Sequence, residues 1–524
     1  MGIFIHLAVS RAISQEEWEP AYEESLRLAK AFGLCDSTWK KKYDRDLYCL
    51  IPTEEIMVGG KKAWCAVGDL NTWHTGEDYC LYRDFSWEEA RQEGVCYDPL
   101  MSILPAYMNI DWEDPRTKGS FSLWDGKSQG EPYHIALLAI ALMLETRLSG
   151  KVVPYGDITR GQCNEALKML EKFVEIPVET SVRCDLHRLF ARVIRLPLQA
   201  NEQVAAFRYL YLGAQDQTYH AFVKSHFTKK AIQLYWERNF EKTMPGTIGF
   251  SQSVKEYLSM EKTAEGLAAL CRYVDLTEPK DGKMRYSQFL ESIMQTYIWK
   301  KEKDLRNPLE IDQEGGTYSI YTLMAQFAFA GARNYAVDTY LPLNQVRQIL
   351  RDFCGDSFDS DAWIDEFLEQ EKQDSKQQLK TTLANNLDAI CSDMEQQQED
   401  FDITETDQLI HYKPGDKISP SLEEALIKSY PAYHAACEED SFTELINGSW
   451  TDRCAFLIEQ NQYLRMPETE WEQIFARIKK TPDSYFQYYP MVRMKVSDQT
   501  RWMVEAFAVN DALYTYIEQK CICS

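Results

Sequence analysis

The chain opens on a strict alternation. Ile3, Ile5, Leu7 and Val9 fall on one face and Phe4, His6 and Ala8 on the other, the period of a β-strand. Ser14-Gln15-Glu16-Glu17 follows with capping-box spacing, in which the serine caps an amide and the glutamate reaches back. Trp18, Tyr22, Leu26 and Ala29 then share one helical face, and Gly33 is placed to end that helix. Two further strands are predicted over 47–51 and 63–67, with Gly59-Gly60 as a turn between them.

From about residue 130 the period changes to that of helices. Windows at 133–148, 161–175, 185–196, 201–213, 216–227, 229–241, 263–274 and 285–301 follow one another across short breaks. Thr159-x-x-Gln162 has capping-box spacing, Thr228 and Thr263 are candidate N-caps, Gly213 is a candidate C′ residue, and Pro177 and Pro197 stop helices. Residues 317–351 read as two more buried helices broken near Pro342. Leu379, Leu383, Leu387, Ile390 and Met394 then keep a three-to-four spacing, the mark of an amphipathic helix, before a solvated linker over 396–407. Beyond Pro414-Gly415, helices are predicted near 421–429 and 468–479, a strand over 491–496, and one long helix over 498–519.

The expected fold class is α+β. A mixed, aromatic-rich domain over 1–130 is followed by a helical bundle or irregular array over 131–362. An acidic helix and linker over 363–415 then lead to a mainly helical domain over 416–524. No residue pattern repeats at a fixed period, so no named repeat family is indicated.

Composition narrows the function. With 524 residues, 45% hydrophobic and 26% charged, the chain belongs with globular proteins. Its formal charge is −24, and 13 acids against 3 lysines over 365–410 supply −10 of that. Such a field repels phosphate backbones and anionic lipid, so neither nucleic acid nor membrane is an expected partner. The longest apolar run, Ile135–Leu144, is too short to span a bilayer and reads as a buried helix. The N-terminus lacks the basic region of a signal peptide. Cys35, Cys49, Cys65, Cys80 and Cys96 fall at near-even intervals. In a large chain without a signal, the 14 cysteines are nonetheless expected to be reduced and mostly buried, in the cytoplasm.

Familiar chemistry is missing from the sequence. There is no phosphate loop, dinucleotide fingerprint, nucleophile elbow, zincin helix or EF-hand loop, and no cofactor is expected. Cys184-x-x-His187 and Cys521-x-Cys523 are each half of a zinc pattern, and Glu131-x-x-His134 is half of a di-iron pattern. The candidate nucleophile is Cys163. If Thr159 caps the helix that follows, Cys163 lies at its start beside Arg160, where a helix dipole and a cation stabilise thiolate. Its base would be His134 or His187, with His220 and His226 as further candidates; the ordinary alternative is a small buried thiol. The second candidate is an aromatic–acidic patch: Trp64, Trp73, Trp87, Trp112 and Trp124 with Asp111, Glu113 and Asp114. Exposed, it would suit a basic protein; buried, it is the core under the first sheet. His74-Thr75-Gly76-Glu77-Asp78 reads as a polar loop.

Gly2–Leu7, Gln129–His134 and Tyr155–Cys163 together resemble a set of cytosolic proteins of gut-type Firmicutes over roughly the first 240 residues. The resemblance implies a bacterial, cytosolic setting and supplies no catalytic residue. The leading expectation is therefore a non-enzymatic protein-binding module. In a bacterium its concrete form would be a toxin-neutralising, immunity-type or conflict-system protein. The alternatives are a cysteine-dependent hydrolase or transferase built on Cys163, and an architectural scaffold.

Overall fold

The computed structural model describes residues 3–42, 45–72, 74–84, 93–104, 108, 110–111, 113–274, 276, 283–303, 335–371, 409–437, 444–445, 447–460, 465–486, 488–489 and 498–523. The amphipathic helix and linker expected between 379 and 407, the strand expected at 491–496 and residues 317–334 of the two helices expected over 317–351 lie outside these residues; 335–342, where the first of those helices would end, is not helical, and the second begins at Leu343. The fold is α+β: sheets in the N-terminal part, and helices through most of the rest. The chain divides into two compact units. One comprises 1–31, 57–63 and 79–386, the other 32–56, 64–78 and 387–524. No described helix is long and apolar enough to cross a membrane.

In the first unit, the alternating N-terminal segment forms β1 (Phe4–Ser10). It is the centre of a three-stranded antiparallel sheet, with β7 (Ser120–Lys127) on one side and β8 (Val152–Gly156) on the other. The capping box at Ser14 and Glu17 is present and starts α1 (Gln15–Ala31). Gly33 follows with φ +68°, a left-handed conformation that a glycine adopts without strain. After the short helix α2 (Leu100–Ile103), the apolar run becomes α3 (Tyr133–Arg147), which packs against α1, β1, β8 and α4 (Arg160–Leu170).

The helical array then follows with the predicted punctuation. Its members are α5 (Leu186–Val193), α6 (Ala200–Leu210), α7 (Gln217–His226), α8 (Lys229–Lys242), α9 (Ile248–Met260), α10 (Ala264–Tyr273), α11 (Lys283–Met294) and α12 (Leu343–Cys354). Thr228 and Thr263 cap α8 and α10 through their hydroxyls. One core, including Phe207, Trp236, Phe250 and Phe289, runs through the array. Helix α9 was not expected. Its buried face includes Ser251 and Ser253, so the apolar period that marks a helix is interrupted where it is buried.

The second unit is assembled from distant stretches of chain. The other sheet has five strands, and its part inside this unit runs β3-β2-β5. Here β2 (Leu34–Lys42) and β3 (Arg45–Pro52) pair antiparallel from Cys35↔Pro52 to Lys42↔Arg45, and Leu34 and Cys35 of β2 pair with β5 (Lys61–Asp69). The strands β4 (Ile56–Val58) and β6 (Thr75–Tyr82) flank β5 in sequence. Leu47 and Cys49 of β3 share a core with Trp471, Phe475, Leu426 and Phe507. These come from α13 (Pro420–Cys437), α15 (Glu468–Lys480) and α16 (Asp498–Val509), while α14 (Trp450–Gln460) contributes Leu457. The Leu50 amide donates to the Met466 carbonyl at 2.9 Å, tying strand to helix start.

The long helix expected over 498–519 is two helices, α16 and α17 (Asp511–Cys523). Asn510 makes the break. Its amide donates to the carbonyls of Leu409, Ile410 and Tyr412, and its Oδ1 caps Leu513. A second difference concerns the thiols. Ten described cysteines are free, as expected, but Cys65 and Cys80 are disulfide-bonded. Both belong to the evenly spaced N-terminal set, and even spacing alone does not say which Cβ atoms come within bridging reach.

Candidate functional site

Helix α3 is apolar around its circumference, with every side chain from Ala136 to Leu144 buried, so its polar groups stand at its ends. At the N-terminal end, His134 Nδ1 lies 2.6 Å from Ser128 Oγ, while Nε2 has no partner. Burial pushes this imidazole down to about 4, so it is neutral. At the other end, Glu145 is enclosed as well. Its Oε1 accepts from the Val182 amide at 3.0 Å and the Ser181 hydroxyl at 3.3 Å, and Oε2 has no partner. Burial pushes this carboxyl up to about 7, outweighing those bonds and the charges of Arg192 and Arg188.

The Glu145 end meets two thiols. The capping box between Thr159 and Gln162 starts α4 and puts Cys163 in its first turn, fully buried. Cys184 closes a 3-10 turn (Val182–Cys184) capped by Ser181. Next to Cys184 in the chain, Arg183 is itself buried and donates to the carbonyls of Leu210 at 2.9 Å and Pro154 at 3.3 Å. The Cys184 side chain and burial, with the Glu145 carboxyl adding to them, raise the Cys163 thiol well above the ordinary thiol range. Cys184 is shifted downward, by the Cys163 side chain first and by Thr180 and Arg183 after it. The cluster is thus a buried pair of unequal thiols beside a carboxyl and a guanidinium.

His134 and Glu145 stand 11 residues apart on one helix, a rise of about 16 Å, so His134 is at the wrong end of α3 to serve Cys163. His187 is exposed on α5, edge-on to Phe222 at 4.9 Å and to His226 at 5.9 Å. His226 Nδ1 lies 2.9 Å from the Phe222 carbonyl. His220 is pushed down to about 4 by burial, with Arg208 adding to it. The helix start expected to present an activated Cys163 is buried against α3. Among the described residues no group of three or more His, Cys, Asp or Glu is arranged to hold a metal ion.

The aromatic–acidic patch separates into core and turn. Trp64 and Trp124 are interior, with Trp124 donating to the Cys80 carbonyl at 3.1 Å and lying edge-on to Tyr79. They are core residues rather than a surface for a partner, because ring area of that size is placed where it is removed from water. Trp73, Trp87 and Trp112 lie outside the described residues. The acids are spent locally. Asp111 accepts from the Glu113 amide, Glu113 pairs with Lys118 at 3.1 Å, and Asp114 caps a 3-10 turn while holding the Arg116 guanidinium. That guanidinium keeps the Asp114 carboxyl below its usual range.

An exposed acidic and apolar segment lies elsewhere, between α4 and the turn that carries Cys184. In Glu171-Lys172-Phe173-Val174-Glu175-Ile176-Pro177-Val178-Glu179, Phe173 is 42% and Ile176 64% exposed, and all three glutamates are exposed. The backbone under them is pinned. Arg147, paired with Glu24, donates to the Ile176 carbonyl at 2.8 Å, and Thr146 Oγ1 accepts from the Glu179 amide at 3.1 Å. Glu179 also pairs with Arg188 at 2.8 Å. The sequence carried a signal for it, glutamates every fourth residue around two large apolar side chains, but the first half read as the end of a helix. Glu145 also had a signal: it is the charge that closes the longest apolar run.

No known protein family, curated protein or solved structure matches this chain, and the resemblance of its first 240 residues to the Firmicutes set gains no support from these comparisons.

Proposed function

We propose that the chain is a non-enzymatic binding module for a basic protein, engaged through the segment Glu171–Glu179. The observation that carries this reading is the pair Phe173 and Ile176, exposed on a backbone fixed from below and ringed by glutamates. Large apolar side chains on a pre-ordered segment supply contact area without the entropy of ordering a loop. Carboxylates around them steer a cationic surface in and set its register. The chain's −24 charge acts in the same direction at longer range.

The enzymatic alternative is disfavoured by the burial of Cys163, whose thiol is closed to solvent and raised well above the ordinary thiol range. An architectural scaffold would differ from the proposed module only in having no releasable partner.

The test is a pull-down with the full-length chain from native lysate, at low and high salt, beside the double variant Phe173→Ala/Ile176→Ala. One stoichiometric basic protein is expected on the wild type at low salt, released at high salt and missing from the variant. Retention of nothing, or equal retention by wild type and variant, overturns the reading.

A further inference from the structure

Two exposed imidazoles meet on the surface of the helical array. His187 lies in the first turn of α5 and His226 is the last residue of α7, with their ring centroids 5.9 Å apart. Both rest on an aromatic floor. His226 stacks on Phe222 at 3.8 Å and lies 4.9 Å from Phe190, while His187 meets Phe222 edge-on at 4.9 Å. The His226 ring is fixed in orientation and in tautomer. Its Nδ1 is 2.9 Å from the Phe222 carbonyl, and two acceptors do not face one another at that distance, so Nδ1 carries a hydrogen and donates it. The Ser225 hydroxyl donates to the same carbonyl at 2.9 Å. In the neutral ring the lone pair is therefore on Nε2. A carbonyl behind one ring nitrogen is how proteins orient an imidazole towards a metal ion at the other.

We infer that His187 and His226 form a two-histidine surface site for a divalent transition-metal ion of the zinc class. Metal–nitrogen bonds of about 2.0–2.1 Å put the centroids of two imidazoles on one ion about 5–6.5 Å apart, depending on the angle at the metal, and the observed separation falls in that interval. The two ring planes stand 79° apart. His226, stacked and hydrogen-bonded, is the fixed ligand; the exposed His187 ring turns to bring a nitrogen to the ion. Imidazole nitrogen selects zinc, nickel or copper over magnesium and calcium, which take oxygen donors. The site lies at the negative end of the α7 dipole, on a chain of charge −24, and both favour a cation. Arg188, next to His187 in the chain, has its guanidinium bonded to Glu179 and to the Thr180 carbonyl. Among the described residues no third His, Cys, Asp or Glu is grouped with the pair, so water fills the remaining positions, as in an open rather than a closed zinc site. Of the half-pattern Cys184-x-x-His187 only the histidine is used, because Cys184 is buried. The ion ties α5 to α7, and its binding does not depend on what Glu171–Glu179 recognises.

The experiment uses the full-length chain and zinc chloride alone, with no protein partner. Calorimetric titration is expected to show a binding class of one zinc ion per chain, weakened roughly tenfold or more by His187→Ala and by His226→Ala but not by His411→Ala, and no such class with magnesium. Histidine modification gives a second readout that needs no substitution. Zinc is expected to protect His187 and His226 together from diethyl pyrocarbonate, as mapped by mass spectrometry. Equal zinc affinity in the wild type and both variants overturns the inference. So does a loss confined to one of the two variants, or protection of only one of the two histidines. None of these outcomes turns on the pull-down with Phe173→Ala/Ile176→Ala, so the two readings fail separately.

Discussion

Glu145→Gln is expected to make the protein more stable at neutral pH and to leave it unchanged in mild acid. The folded carboxyl titrates near 7, while its ordinary value is 4.5. Below pH 4.5 the group is protonated whether the chain is folded or not. As pH rises from there the unfolded chain ionises first, so stability falls through the window from 4.5 to 7 and is fully lost above it. A shift of that size at about 1.4 kcal/mol per pH unit is worth about 3 kcal/mol. Glutamine carries the neutral form at every pH, and its carbonyl oxygen can keep both the Val182 amide and the Ser181 hydroxyl. The difference between variant and wild type should therefore grow from near zero at pH 4.5 to about 3 kcal/mol at pH 8. His134, at the far end of the same helix, runs the other way. Its folded value near 4 lies below the ordinary 6.5, so its stabilisation is lost as pH falls from 6.5 towards 4. In the wild type the two slopes oppose each other, and removing Glu145 exposes the histidine's. Urea unfolding from pH 4.5 to 8, followed by helical circular dichroism, reads all of this. A variant whose advantage does not change with pH would refute the argument, and so would one that is less stable than wild type at pH 8.

Two further substitutions probe the packing. Trp471→Ala empties a fully buried ring that stacks on Phe475 at 5.2 Å, and should lower unfolding free energy by roughly 3–5 kcal/mol in urea titration. Gly119→Ala would drive its new methyl group into the Cys96 carbonyl, a backbone atom that cannot swing aside, and should lower the melting temperature measurably by calorimetry.

The sequence is most legible where a residue's neighbours in space are also its neighbours along the chain. Thr159, Thr228 and Thr263 cap the helices assigned to them, and the ten-residue apolar run is the buried α3, because caps and helical faces are decided within a few residues. The strand β2 was missed because its outer half is Trp39-Lys40-Lys41-Lys42, polar residues held in a strand by pairing with β3. The break at Asn510 was missed because its reason lies about a hundred residues away, in the carbonyls of 409–412. The candidate site divides in the same way. Cys163 at a capped helix start was readable; its meeting with Cys184 and Glu145, and the burial of Trp64 and Trp124, are products of tertiary packing.

The second unit has an implication for synthesis on the ribosome. Leu47 and Cys49 wait for a core whose other members begin at Leu409, some 360 residues later. At about 5–20 residues per second that interval lasts roughly 20 to 70 s. Throughout it the hairpin β2–β3 has emerged with its apolar side unmatched and open strand edges available to other nascent chains. The three consecutive lysines near its turn are the kind of charge that discourages such pairing. The N-terminal strands are therefore the part of the chain most exposed to mispairing during translation, and production at low temperature or slow induction should raise the yield of folded chain.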